Sequence, residues 1–339
     1  MDYSTVSKGA NLIKCVECQT ISNPDAVKTE LSTFETKQYA GSHQTEHTTH
    51  VDEYLEPVTR SFLQAKILTE KFIKNKKLRI LDIGCFDGCL LVELNNNLNN
   101  ADLWGFDINP HLKEFFPQKD NFHFISTGLE NLEDSFDLII LSVCIYYIPD
   151  LRDLMVSIRR LLTNNGILFI QIPDIRSNPY NLLMGDQSFI FTEKSLKNVC
   201  NKFGYRTDVI SNDYFPRELL IVAQKDKNSG DNYVEDYLFE KNIMKLDHVK
   251  EKLEKITHDS ITVLGTTMSA AFVDEIIGER IQFFVDENLS KIGETFRGKK
   301  IVHPKNLNDT NHTILPFGRT GIMIQERFEK LYNGIFMVV

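Results

Sequence analysis

Leu78-Arg79-Ile80-Leu81-Asp82-Ile83-Gly84-Cys85-Phe86-Asp87-Gly88 decides how this chain folds. A short apolar run ends at a glycine, the pattern of a buried strand. The chain then turns tightly and enters a helix. Glycine at such a bend lets backbone approach a ligand closely, with no Cβ in the way. Open α/β sheets bind ligands at the carboxyl ends of their parallel strands. Asp107 ends the next predicted strand, 23 residues after Gly84. A carboxylate there can accept both hydrogen bonds of a ribose diol.

Outward from this bend the α/β alternation continues. A helix is expected over the region 51–74, with Val58, Phe62, Ala65, Leu68 and Phe72 three or four residues apart. After the bend come a helix over 90–98, strands over 103–108, 121–125 and 136–143, and an amphipathic helix over 151–162. Asn164-Asn165-Gly166 reads as the C-cap of that helix. A strand over 167–172 is followed by a helix from Thr192 to Phe203, with Gly204 past its end. The runs 206–210 and 218–224 leave no room for a helix between them, so they are expected to close the sheet as an antiparallel pair. Strands alternating with helices imply a parallel sheet. A charged helix is expected over 233–256, and a second α/β unit starts at Ser260.

The chain of 339 residues has room for two domains at roughly 150 residues each. Its 42% hydrophobic and 25% charged residues exclude disorder and fibrous architectures for most of its length. A net charge of −9 makes it a poor polyanion binder, so no nucleic-acid partner is expected. No apolar run approaches about 18 residues, and residues 1–14 lack a signal-peptide core, so neither a membrane span nor a targeting segment is expected. Six cysteines without a disulfide ladder fit a reducing, cytoplasmic setting.

The chemistry of the bend narrows the ligand. A dinucleotide fingerprint has the form G-x-G-x-x-G, and Phe86 stands at its second glycine, where a pyrophosphate needs bare backbone. An oxidoreductase is therefore disfavoured. Asp82 would put negative charge near that pyrophosphate; it suits a cationic ligand with an amino group instead. S-adenosylmethionine carries both a sulfonium and an α-amino group.

Residues 78–225 resemble the class I S-adenosylmethionine-dependent methyltransferases, which have a Rossmann-like α/β sheet. The resemblance runs through Asp82 to Gly88, Gly105-Phe106-Asp107, Phe136-Asp137-Leu138-Ile139, Leu161-Leu162-Thr163-Asn164-Asn165-Gly166 and the closing strand pair. It implies S-adenosylmethionine as cofactor, with Asp82 in its site and Gly84 and Cys85 lining the methionine part. It implies Asp107 at the ribose, Ile108 and Leu129 at the adenine, and Cys144 near the methyl group. The family often has a histidine shortly after the fourth strand; here Tyr147 stands in its place.

The whole chain resembles the sugar methyltransferases of deoxysugar and surface-polysaccharide biosynthesis. The likeness combines a Cys-x-x-Cys module over 1–50, a methyltransferase domain over 51–227, a linker helix over 228–258 and a C-terminal α/β domain over 259–339. Val285-Asp286-Glu287-Asn288, Lys291-Ile292-Gly293 and Gly298 to Pro304 look like the C-terminal domain of sugar C-methyltransferases. Val263-Leu264-Gly265-Thr266-Thr267-Met268 looks like its degenerate mononucleotide turn. The C-methylating members carry a Glu-His pair where this chain has Asp186-Gln187. Carbon alkylation needs a strong base beside a carbonyl, which Gln187 cannot be. The expectation is therefore O-methylation of a nucleotide-linked sugar or glycan precursor. N- or C-methylation and a non-catalytic cofactor-binding scaffold are the alternatives. The candidate bases are Tyr39, His43, His47 and His50 in an N-terminal lid, Tyr146 and Tyr147 after the fourth strand, and Asp186 after the fifth. Foremost among them are His50, Tyr39, Tyr147 and Asp186. Cys15-Val16-Glu17-Cys18 resembles only the second pair of a two-pair zinc module, and the spacing of His43, His47 and His50 is not diagnostic, so no metal is expected.

Overall fold

The computed structural model describes residues 11–26, 50–51, 57–72, 78–98, 100–133, 135–227, 233–258 and 260–339. The described residues up to 177, with 185–236, form one compact unit, and 178–184 with 237–339 form a second.

In the first unit, β1 (Ile13–Lys14) and β2 (Ile21–Ser22) make a small hairpin. β3 (His50–Val51) pairs with β4 (Pro57–Val58), and α1 (Arg60–Phe72) follows. Then come β5 (Arg79–Ile83), α2 (Cys89–Asn97), β6 (Asp102–Phe106), β7 (Phe122–Ile125), β8 (Phe136–Ser142), α3 (Leu151–Leu161) and β9 (Leu162–Pro173). After residue 184 the unit resumes with β10 (Phe189–Ile190), α4 (Glu193–Lys202), β11 (Tyr205–Ile210) and β12 (Glu218–Lys225). The central sheet has the order β11-β12-β9-β8-β5-β6-β7. Strands β5 to β9 run parallel, while β12 is antiparallel to β9 and to β11, as the short connection required. The result is a Rossmann-like α/β sheet.

Two apolar layers hold that sheet. Leu81, Ile83, Ile139 and Leu141 pack with α3 and α4 through Met155, Ile158, Leu196 and Val199. Ile80, Leu138, Ile140 and Phe169 pack on the other face with α1 and α2 through Leu63, Leu68, Leu91 and Leu94. Each such side chain, fully buried, contributes about 1.5–3 kcal/mol. Helix α3 starts at Asp150, whose carboxylate accepts from the Asp153 amide at 2.9 Å. Helix α4 starts at a capping box of Thr192 and Ser195 and is followed by Gly204 at φ 78°.

The expected C-cap at Asn164-Asn165-Gly166 is not there. The chain passes straight from Leu161 into β9, and Leu162 is already extended. Register moves from Phe136↔Leu162 to Leu138↔Ile167, so residues 163–166 bulge out within the strand. Gly166 serves a close approach: a Cβ on it would stand 2.8 Å from Leu162 Cδ1.

The second unit contains α5 (Leu238–Glu254), β13 (Ile261–Leu264), α6 (Met268–Ile277), β14 (Ile281–Val285), β15 (Thr295–Phe296), β16 (Lys299–Val302), β17 (His312–Leu315), α7 (Arg319–Leu331) and β18 (Ile335–Val338). Its sheet order is β15-β16-β14-β13-β17-β18, parallel apart from the β15–β16 pair. Helix α7 has no counterpart in the sequence reading. Its apolar Ile322, Met323 and Leu331 are exposed, which blurs the periodicity a helix reading relies on. Among the described residues no helix is long and apolar enough to cross a membrane.

Candidate cofactor and active site

The bend after β5 is built from left-handed backbone. Gly84 has φ 77°, Phe86 52° and Gly88 81°. The Gly84 and Cys85 amides both donate to the Phe106 carbonyl, at 2.7 and 3.1 Å, which ties the bend to the end of β6. Phe86 therefore keeps the backbone shape that a second glycine would supply, although a bulky residue rarely adopts it. After β8 a second unusual residue, Val143 at φ 59°, turns the chain toward Cys144. The Cys144 thiol donates to the Ile83 carbonyl at 2.9 Å. A Cβ on Gly84 would lie 2.7 Å from Cys144 Cβ.

Two carboxylates flank the bend. Asp82 is 3% exposed, and its Oδ1 is buried with no hydrogen-bond partner. Burial, and then the charge of Asp107, pushes its pKa up to about 8. Asp107 Oδ2 accepts from the Phe86 amide at 3.1 Å and Oδ1 from the Asn109 amide at 3.0 Å. Burial raises the Asp107 pKa, opposed by those two amides. Each carboxylate oxygen has two lone-pair directions, so both keep acceptor capacity for a further donor. The Cys85 thiol is buried beneath the bend, and burial holds its pKa well above the usual thiol range.

The remaining predicted positions divide. Ile108 is 60% exposed at the end of β6. Leu129 begins a short turn (Leu129–Asn131) and buries its side chain in the α3–α4 layer, leaving backbone there for any ligand. Tyr147 is half-buried in the turn Ile145–Tyr147, with its ring centroid 4.5 Å from that of buried Tyr146. β10 packs against this turn, and Ser188 Oγ donates to the Tyr147 carbonyl at 3.4 Å. Asp186, two residues before Ser188, is thereby brought to the same rim; its Oδ1 is buried without a partner, and burial raises its pKa. Tyr39, His43 and His47 lie outside the described residues. The His50 backbone pairs with Val58.

The hairpin that bears Cys15 and Cys18 is stitched to the same rim. β2 pairs with β10, and Asn23 Nδ2 donates to the Gly185 carbonyl at 3.1 Å. All six cysteines are free thiols. Among the described residues no group of three or more His, Cys, Asp or Glu side chains is placed to hold a metal ion.

Sequence reading missed a buried polar chain on the α1 face. Gln64 Nε2 donates to Ser142 Oγ at 2.6 Å and to Gln171 Oε1 at 2.8 Å. Gln171 Nε2 donates to Glu218 Oε2 at 2.7 Å, and Arg60 clamps the Glu218 carboxylate. The only sequence signal was polar Gln64 inside an apolar helical stripe and Gln171 inside an apolar strand.

The second unit repeats the bend and shows what distinguishes the first. Gly265, at φ 92°, donates to the Val285 carbonyl at 2.7 Å, and Asp286 stands where Asp107 does. But Lys291 Nζ lies 3.3 Å from the Asp286 carboxylate and 2.7 Å from Thr266 Oγ1, so this acid has its own cation. Val263 occupies the place of Asp82. Of the two bends only the first has acids, buried Asp82 and half-buried Asp107, that pair with no cation among the described residues. Those acceptors fit a ligand that donates from an ammonium and a diol, as S-adenosylmethionine does.

Residues 51–209 match the family profile described as a methyltransferase domain. This part of the chain is a class I S-adenosylmethionine-dependent methyltransferase domain. The protein is a methyltransferase, and S-adenosylmethionine is its cofactor. No curated protein matches the sequence. Among solved structures, the plantazolicin methyltransferase BpumL, crystallised with a pentazolic desmethyl analogue and S-adenosylhomocysteine, is 16% identical with a TM-score of 0.45, covering 60% of this chain and 94% of its own. The methyltransferase domain of citrinin polyketide synthase is 18% identical with a TM-score of 0.41, covering 49% of this chain and 52% of its own. The YcgJ protein of Bacillus subtilis is 12% identical with a TM-score of 0.41, covering 49% and 99%.

On the expectation that Asp107 holds the ribose, Asp107→Ala should weaken S-adenosylhomocysteine binding by about 1–3 kcal/mol. Titration calorimetry measures this directly. An unchanged affinity would remove Asp107 from the ribose.

Proposed function

We propose that this methyltransferase transfers the methyl group to a hydroxyl of a sugar, either nucleotide-linked or in a glycan precursor. The observation that carries the reading is Asp186: a buried carboxylate oxygen without a partner, on the rim shared with Tyr147. Its neighbour Gln187, buried, has no basic function for enolising a keto-sugar. The likeness of the flanking segments to sugar methyltransferases supports the substrate class.

On this reading Asp82 faces the α-ammonium of the cofactor, Gly84 and Cys85 line its methionine part, and Asp107 takes the ribose diol. Ile108 and the Leu129 backbone border the adenine, and Cys144 borders the methyl group. When bound, S-adenosylmethionine supplies a methyl group on a sulfonium leaving group. Tyr147 walls the acceptor side. Asp186 accepts the hydroxyl proton as the oxygen attacks; its raised pKa makes it a better base than an ordinary carboxylate. In-line orientation supplies most of the remaining rate. Tyr39 and His50 are further candidates for the proton, to be tested by substitution in the same assay.

The experiment is incubation with S-adenosylmethionine carrying a labelled methyl group and a panel of nucleotide sugars. Mass spectrometry then locates the label. Label on a sugar oxygen is expected, and Asp186→Asn should lower kcat by about 10²–10⁴-fold. Label on nitrogen or carbon, or only on acceptors other than sugars, rejects the reading.

A further inference from the structure

The hydrogen-bond chain beside the bend has a fixed direction. Arg60 can only donate, and it donates to both carboxylate oxygens of Glu218. Glu218, as a carboxylate, can only accept, so Gln171 must turn its amide nitrogen toward Glu218 and its oxygen away. That oxygen takes one Gln64 N–H, and the second Gln64 N–H goes to Ser142 Oγ. Both amide hydrogens of Gln64 are then used. Ser142 Oγ is an acceptor toward Gln64, and its own O–H is left to donate elsewhere. No acceptor for it occurs among the described residues.

The register shows where that hydroxyl stands. On the parallel β5–β8 pair Asp82 is opposite Ile140, so Ser142 is level with Gly84, one strand away. Side chains two apart on a strand share a face. Ser142 is therefore on the face of Ile140, which packs toward α1 and α2. Asp82 lies on the corresponding face of β5, since Ile80 belongs to that same layer. An acid lacking a cation and a hydroxyl held as a donor thus lie on the same face of neighbouring strands, two residues apart in register, at the end of the sheet where the bend is. Their polarities match the two ends of a zwitterion. Gln64 is 3% exposed and Gln171 fully buried, so the chain cannot easily rotate to reverse its direction.

We propose that the chain from Arg60 to Ser142 reads the α-carboxylate of the cofactor's methionine part, with Ser142 donating to it while Asp82 takes the ammonium. This rests on the cofactor reading of the bend and deepens it. It makes Ser142 the contacting residue, with Gln64 and Gln171 as positioning residues. It also makes the site selective for the complete amino-acid tail over adenosyl thioethers that lack one.

The test uses two ligands with the same adenosine and thioether groups: S-adenosylhomocysteine, which has the amino-acid tail, and 5′-methylthioadenosine, which does not. Titration calorimetry of the full chain measures both. Ser142→Ala should weaken S-adenosylhomocysteine about ten-fold, the size of one hydrogen bond to a charged group, and leave methylthioadenosine within two-fold. Ser142→Thr, which keeps the hydroxyl, should restore the difference. Gln171→Leu should act like Ser142→Ala on the same ligand only. An equal loss on both ligands, or none on either, overturns the proposal while the cofactor reading stands. Failure of the unaltered protein to bind either ligand overturns the cofactor reading itself.

Discussion

Replacing Asp82 by asparagine is expected to stabilise the ligand-free protein at neutral pH by about 2 kcal/mol and to weaken S-adenosylhomocysteine at least ten-fold. The first effect follows from linkage. The folded carboxyl has its pKa raised to about 8, against roughly 3.9 in an unfolded chain. Below about pH 4 both states hold the proton and the stabilising contribution is complete. As pH rises toward about 8 the unfolded chain gives up its proton and the native state keeps it, so stability falls by about 1.4 kcal/mol per pH unit. Three units of that slope would amount to about 4 kcal/mol, and a buried asparagine amide without full hydrogen bonding returns about 1–3 of it. Urea unfolding at pH 5 and pH 7.5 should therefore show the two proteins diverging as pH rises. A constant gap would mean that Asp82 is not the titrating group. The second effect follows from the proposed role of Asp82 as partner of the α-ammonium. With that partner bound, Asp82 ionises, so binding below pH 8 should release close to one proton. The release appears as a dependence of the calorimetric enthalpy on the buffer, and Asp82→Asn should abolish it.

The second large effect is expected at Gly84. Alanine there must adopt φ 77°, at a cost of about 1–2 kcal/mol. Its Cβ would also stand 2.7 Å from Cys144 Cβ and 3.1 Å from Sγ, an overpacking of about 1–3 kcal/mol. Gly84→Ala should thus lose about 2–5 kcal/mol, a Tm fall of roughly 4–20 °C for a unit of this size. Cys144→Gly in the same chain should recover the overpacking part and leave the backbone part. A double-mutant cycle should therefore give a coupling of about 1 kcal/mol or more. Additive losses would show that the two residues do not meet.

Much of this site is readable from residue order because its chemistry is local. The bend needs glycine where φ is positive, and Gly84 and Gly88 stand there. Asp107 is found by counting to the end of the next strand. The antiparallel closing pair follows from the short connection between β11 and β12. Phe86 was harder: its side chain argued against a bare loop, yet the backbone took the left-handed shape because hydrogen bonds on both sides of the bend hold it. The false C-cap at Asn164-Asn165-Gly166 has a similar cause. Those residues suit several kinds of turn, and the pairing of β9 with β8 selected a bulge.

What residue order determined by itself was the alternation of strands and helices, the acid–glycine bend and the class of cofactor, since periodicity and backbone permissiveness act over a few neighbouring residues. Only the tertiary structure decided which acids lack a cation. Asp107 and Asp286 look alike in the sequence as strand-end acids, but Asp107 accepts from the Phe86 and Asn109 amides and pairs with no cation among the described residues, whereas Asp286 lies beside Lys291. The same holds for Arg60, Gln64, Ser142, Gln171 and Glu218, which lie far apart in the chain and meet only when three strands and a helix pack together. Desolvation and hydrogen-bond direction depend on everything packed around a group, and that is a property of the folded chain.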